Sequence, residues 1–134
     1  MLKIFLSSHG HFASGLKSSL DILIGNSDVV TVFDAYIDEK TVQEQLELFY
    51  EKTKEDDQIL LLSDLYGGSV NQVMATYLDR PNTTLVAGVN LAFVLEVATK
   101  EKISEEELEI IIKQSRNALK QVKLEEIGDE EDFF

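Results

Sequence analysis

The chain has 134 residues, 12 Lys or Arg against 25 Asp or Glu, a net charge of −13 and 44% hydrophobic residues. This is ordinary globular usage for one domain, and its acidity argues against nucleic acid or an anionic membrane as partner. With no Cys and two His, a disulfide framework, a thiol nucleophile and a His-rich metal centre are all ruled out as readings, and neither metal nor cofactor is expected.

Four short apolar runs read as buried strands: Leu2–Leu6, Val29–Phe33, Ile59–Leu62 and Leu85–Val89. They are continuous rather than alternating, as suits strands covered on both faces. Helical patterns separate them. Phe12, Leu16, Leu20, Leu23 and Ile24 share one face, and Gly25 ends that helix. Thr41 stands three residues before Glu44, a capping-box pattern, with Leu46, Phe49 and Tyr50 on the stripe behind it. After Gly67-Gly68-Ser69, the residues Val70, Val73, Met74, Tyr77 and Leu78 fall together, and Pro81 stops the run. A short apolar helix is expected from Leu91 to Thr99. The last helix opens on a second capping box, Ser104 and Glu107, and is expected to bury Leu108, Ile111, Ile112, Leu119 and Val122.

The order β-α-β-α-β-α-β-α-α predicts an α/β fold: an open, mostly parallel sheet with helices on both faces. One variant puts the Lys3-bearing strand at an edge, which alters strand order but not class. Residues 1–122 are read as the single domain, and 123–134 as an acidic tail, either frayed or docked on a neighbouring subunit through Phe133 and Phe134. Nothing reads as a signal peptide or membrane span, so a cytoplasmic protein is expected.

In open α/β sheets, ligands bind beyond the carboxyl ends of the strands. Three polar clusters stand there: Ser7-Ser8-His9-Gly10, Ser63-Asp64-Leu65-Tyr66-Gly67-Gly68-Ser69, and Gly88-Val89-Asn90. Each has a chemical use. A neutral His9 imidazole keeps one free lone pair for nucleophilic attack. Asp64 can accept a hydrogen bond from the other ring nitrogen, fixing the tautomer and stabilising the charge of an N-phosphorylated ring. Gly67, Gly68 and Ser69 open a helix with backbone N–H groups and a hydroxyl, as an anion site does. The constellation suits a phosphoryl group carried on histidine. Each part also has a plain alternative. A histidine after a strand can be a surface residue, Asp64 a helix cap, Gly67-Gly68 a simple turn, Asn90 a turn former and Tyr66 surface packing. His11 reads as a solvated residue at the start of the first helix.

Ser8-His9-Gly10, Asp64-Leu65-Tyr66-Gly67-Gly68-Ser69 and Ala87-Gly88-Val89-Asn90-Leu91 together resemble, in order and spacing, the enzyme IIA domain of the mannose-family sugar phosphotransferase system (PTS). The resemblance covers residues 1 to about 122. It implies a cytoplasmic homodimer whose C-terminal segment can exchange between subunits. It also implies a histidine that takes a phosphoryl group from the carrier protein HPr and hands it to a IIB component, through which it serves a membrane IIC/IID transporter. His9 matches the phosphorylated histidine, Asp64 the carboxylate that leaves Nε2 to attack, and Gly68 and Ser69 the turn receiving the phosphoryl oxygens. Ser8, Tyr66, Asn90 and Leu91 are expected on the crevice rim, with Tyr66 and Leu91 as shields. The chain departs from the pattern in Val70-Asn71-Gln72, where Pro commonly follows the Gly-Gly-Ser, and in Ala92. Tyr36-Ile37 stands where Pro-Gly is expected. These departures leave the transported sugar unassigned. Two other roles share the fold: phosphoryl donor of a dihydroxyacetone kinase, and a regulatory module with an inert His9.

Overall fold

A computed structural model describes residues 1–127 of the chain. The tail residues Phe133 and Phe134 lie outside that range. Each apolar run contributes to a strand, with shifted ends: β1 (Leu2–His9), β2 (Val30–Ala35), β3 (Gln58–Ser63) and β4 (Thr83–Ala87), so that Val29 precedes β2 and Gly88 and Val89 follow β4. They alternate with α1 (Phe12–Ile24), α2 (Val42–Glu51), α3 (Ser69–Ala75) and α4 (Leu91–Val97), and are followed by α5 (Glu105–Arg116) and a single turn, α6 (Leu124–Ile127).

The sheet order is β2-β1-β3-β4 and every pairing is parallel. The Lys3-bearing strand is therefore interior, with Lys3 opposite Ile59 at its entrance. Leu6 lies level with Val32 on one side and Leu62 on the other. Alternation along these strands feeds two cores. Leu2, Ile4, Leu6, Leu60 and Leu62 pack under α1, α4 and α5, while Phe5, Ile59 and Leu61 pack under α2 and α3. Burial on both faces is why the central strands β1 and β3 are apolar without a break over Ile4–Leu6 and Ile59–Leu62. The edge strands β2 and β4 carry Thr and, in β2, Asp, and are mostly only partly buried.

Chain direction reverses about the first strand. From β1 the chain crosses outward to β2, then back over β1 to β3 and onward to β4. The carboxyl ends of β1 and β3 thus flank the topological switch point, where such sheets open a crevice.

Helix ends follow their caps. Thr41 and Ser104 accept from the backbone N–H groups of Glu44 and Glu107, and Ser104 with Glu107 completes a reciprocal capping box. Gly25 closes α1 at φ 84°, its N–H bonded to the Asp21 carbonyl. Two helices are shorter than their apolar periodicity suggested. The third ends at Ala75 and continues as tight turns, Tyr77 to Met74 and Leu78 to Ala75, before β4. Tyr77 is still buried, but Leu78 is 48% exposed. The fifth ends at Arg116, so Leu119 and Val122 leave the buried stripe and stand exposed rather than in the core.

Candidate functional site

His9 is the last residue of β1 and Asp64 the first beyond β3, so the register that pairs Ser7 with Ser63 brings them side by side. One carboxylate oxygen, Asp64 Oδ2, accepts from both the His9 backbone N–H and ring Nδ1, each at 3.0 Å. A carboxylate only accepts, so the Nδ1 position carries the proton in the neutral ring and Nε2 keeps its lone pair. Two bonds to one residue fix both the position and the rotation of the imidazole. The other oxygen, Asp64 Oδ1, is buried and finds no hydrogen-bond partner among the described residues. The His9 side chain is 43% exposed and that of Asp64 16%: the imidazole reaches solvent while the carboxylate that holds it is largely covered.

The free Nε2 lies 3.3 Å from Ser69 Oγ, at the start of α3. The turn before it needs both glycines, for different reasons. Gly67 has φ 77°, a left-handed backbone that L side chains rarely adopt. Gly68 has an ordinary φ, but a Cβ there would lie 3.3 Å from the Leu65 carbonyl oxygen and 3.4 Å from His9 Cε1. Gly68 thus lets the imidazole approach the turn. Its own N–H closes that turn on the Leu65 carbonyl at 3.1 Å. The donors open to a ligand are therefore narrower than the sequence suggested, with Ser69 Oγ the one that meets the ring.

The remaining predicted residues divide. Ser8 is fully buried; its Oγ accepts from the Ala13 N–H at 2.7 Å and donates to the Gly10 carbonyl at 3.1 Å, tying β1 to the start of α1. Asn90 caps α4 by accepting from the Phe93 N–H and donates to the Ser115 carbonyl, both at 2.8 Å. Leu91 opens α4, partly buried against the core. Tyr66 is 84% exposed and lines a groove with Asn90, Phe93, Ser115 and Leu119, beside β4 and α5.

The ring that covers His9 is Tyr36, directly after β2. Its centroid lies 5.2 Å from the imidazole with planes 25° apart, and its hydroxyl is 2.5 Å from Ser69 Oγ. In the sequence, this position stands out only as a departure from the family pattern, Tyr36-Ile37 in place of Pro-Gly. The parallel register that pairs His9 with Ala35 explains the contact, because the residue after Ala35 emerges beside His9. His11 also has a partner that sequence did not reveal. Its Nδ1 lies 3.0 Å from Asp34 Oδ2, and Asp34 accepts from the Ser14 N–H at 3.0 Å and the Ser14 hydroxyl at 2.6 Å. Burial would raise the Asp34 carboxyl, but the Ser14 donors and the His11 ring outweigh it and hold the group below its ordinary value.

Among the described residues, no three His, Asp or Glu side chains gather as a metal would require. No described helix is long and apolar enough to cross a membrane.

The family model described as the PTS system fructose IIA component matches residues 3–114. The chain belongs to this family. The fructose-specific EIIA component of Bacillus subtilis (strain 168) is 28% identical over 100 residues, spanning 72% of this chain and 68% of that protein. The mannose/sorbose-specific IIA subunit from Enterococcus faecalis is 25% identical with a TM-score of 0.79, covering 91% of this chain and 95% of its own. A PTS IIA protein associated with the fucose utilization operon of Streptococcus pneumoniae is 26% identical with a TM-score of 0.78, covering 92% and 95%. The chain is thus a IIA component of the sugar phosphotransferase system. The relatives differ in the sugar their names carry, while matching between 72% and 92% of this IIA chain.

Proposed function

We propose that this IIA chain is a phosphocarrier: His9 Nε2 accepts a phosphoryl group from HPr and passes it to a IIB component, which serves a membrane IIC/IID sugar transporter. The observation that carries this reading is the double hold of Asp64 on His9, which leaves Nε2 free and facing Ser69. In the forward step, Nε2 attacks phosphorus in line; the new N–P bond forms as the bond to the donor's histidine breaks. Asp64 balances the positive charge that develops on the ring, since its carboxylate already holds the Nδ1 proton. Ser69 Oγ can turn its proton from Nε2 to a phosphoryl oxygen. Transfer to IIB reverses these roles, with the acceptor's histidine as nucleophile. Positioning and charge stabilisation supply the rate, with no proton to relay and no water to activate.

His9 and His11 both hold a carboxylate at Nδ1, so that feature alone does not choose between them. What distinguishes His9 is the hydroxyl and the glycine turn at its Nε2. With HPr and phosphoenolpyruvate-charged enzyme I, the protein is expected to take up one acid-labile phosphoryl group. That uptake should be lost in His9→Ala and retained in His11→Ala. Equal labelling of His9→Ala overturns the reading, and no labelling of the native chain favours a regulatory module of the same fold. Transfer to a dihydroxyacetone kinase partner instead of IIB would identify the kinase-donor role.

A further inference from the structure

Tyr36 is held in a left-handed backbone at φ 66°, a conformation that costs any residue with a Cβ. Its ring is 64% exposed, so core burial does not keep it there. It meets the site twice: its ring stacks on the His9 imidazole, and the hydroxyl reaches Ser69 Oγ at 2.5 Å. A strained backbone and an exposed aromatic ring are both spent on covering one histidine.

We propose that Tyr36 is a positioning residue for the phosphorylated state of His9, holding the phosphoryl group through its hydroxyl and excluding water with its ring. The proposal rests on His9 being the acceptor, as argued above. Stacking on the ring face leaves the Nε2 lone pair open, because that lone pair lies in the imidazole plane. Tyr36 therefore leaves the route of phosphoryl entry clear while removing one side from which water can approach. In the free protein, the phenol can donate to Ser69 Oγ and Ser69 to Nε2, a chain of two hydroxyls ending on the nucleophile. When the lone pair becomes an N–P bond, that acceptor is gone. Both hydroxyls then rotate to donate to the phosphoryl oxygens, which need no backbone movement to meet them. The two hydroxyls hold their own hydrogen bond before phosphorylation and a shared ligand after it.

The reaction this opposes is hydrolysis. Water oxygen attacks phosphorus, the N–P bond breaks, inorganic phosphate leaves and Nε2 regains its lone pair. A carrier needs that step slow and transfer to the next histidine fast. Water and the acceptor histidine attack along the same in-plane line, opposite the N–P bond, so the cover does not block that line. It removes neighbouring solvent that would feed a water into it and holds the phosphoryl oxygens, while a docking partner fills the line with its own nucleophile.

Two variants separate the roles of hydroxyl and ring. Tyr36→Phe keeps the stack and loses the donor. Tyr36→Asn loses the ring but suits the left-handed backbone, because Asn is among the non-glycine residues that adopt it most readily. Each protein is labelled with radioactive phosphate through HPr and enzyme I, separated from them, and followed for release of inorganic phosphate at neutral pH. Tyr36→Phe is expected to shorten the phosphohistidine half-life by about threefold, the worth of one hydrogen bond, and Tyr36→Asn by about tenfold or more. Full labelling and native thermal unfolding in Tyr36→Phe exclude a merely structural effect. Wild-type half-lives in both labelled variants overturn the proposal. Failure of the native chain to label overturns the phosphocarrier reading itself, a distinct outcome.

Discussion

At the scale of single residues, His9 is governed by what lies on either side of its ring. Asp64 holds Nδ1, and Gly68 leaves room on the side of Cε1. The added methyl of Gly68→Ala would meet a backbone carbonyl at 3.3 Å, which does not yield, and the imidazole at 3.4 Å, which can tilt. This variant is expected to fold normally but to label about tenfold more slowly, as a small misplacement of reacting groups does. Rapid labelling at the native rate would show that the imidazole does not need this approach. Asp34 offers a second residue-scale test. Its carboxyl is held below the ordinary 3.8 by Ser14 and His11 against an opposing burial effect. A depressed folded value means stability that is full above the unfolded value and lost as pH falls through the folded one. Asp34→Asn should therefore be less stable than the native chain near pH 6, with the gap closing below about pH 4. Urea midpoints across that range measure it, and a gap that widens on acidification contradicts the assignment.

Among the elements, the short α4 depends most on one side chain. Asn90 accepts from the Phe93 N–H at its start and donates to the Ser115 carbonyl on α5, so a single amide caps one helix and latches a second. Phe93, Val94 and Val97 behind it are buried in the core beneath the crevice. Asn90→Ala removes both bonds and strands part of this backbone polar surface, costing about 1–3 kcal/mol. Denaturant unfolding checks that figure. Because Asn90 is a latch here, labelling at a stabilising low temperature should be nearly native; a large labelling defect at full folding would instead place its amide in the chemistry. Helix length is the element-scale feature that apolar spacing misjudged. Leu78, Leu119 and Val122 keep the right period, but the chain turns at Ala75 and Arg116 to meet its next element, and periodicity carries no record of where that must happen.

For the whole molecule, the sheet ends on β4, which has no strand on its outer side among the described residues. Leu119, Val122 and Leu124 stand exposed after α5, at 88%, 60% and 83%. Leu119 shares a groove with the β4 residues, and an open parallel edge beside an exposed apolar side chain is suited to pairing. We expect a homodimer in solution, and sedimentation equilibrium at micromolar concentration should return twice the chain mass. A monomer at all concentrations overturns this. The net charge of −13 has a whole-molecule consequence for the proposed carrier role: it would favour a basic docking face on the partner, and association would slow as salt is raised.

The amino-acid sequence determined the fold class, and it placed the candidate site residues at strand ends, because those are local properties. Continuous apolar runs mean strands buried on both faces, capping pairs mark helix starts, and His9, Asp64 and Gly67-Gly68-Ser69 each stand where a strand ends. Their convergence could be expected from the general rule for open sheets. Only the tertiary structure decided the strand order, and with it which strand ends are neighbours. That order sets Tyr36 against His9 and Asp34 against His11, pairs separated by more than twenty residues whose contact no local pattern encodes. It also separated Ser8 and Asn90, whose polar atoms are taken up by backbone, from Ser69, whose hydroxyl meets His9 Nε2. The physical reason is the parallel register: a one-residue shift between β1 and β2 would turn these side chains to the opposite face, and register belongs to the assembled sheet.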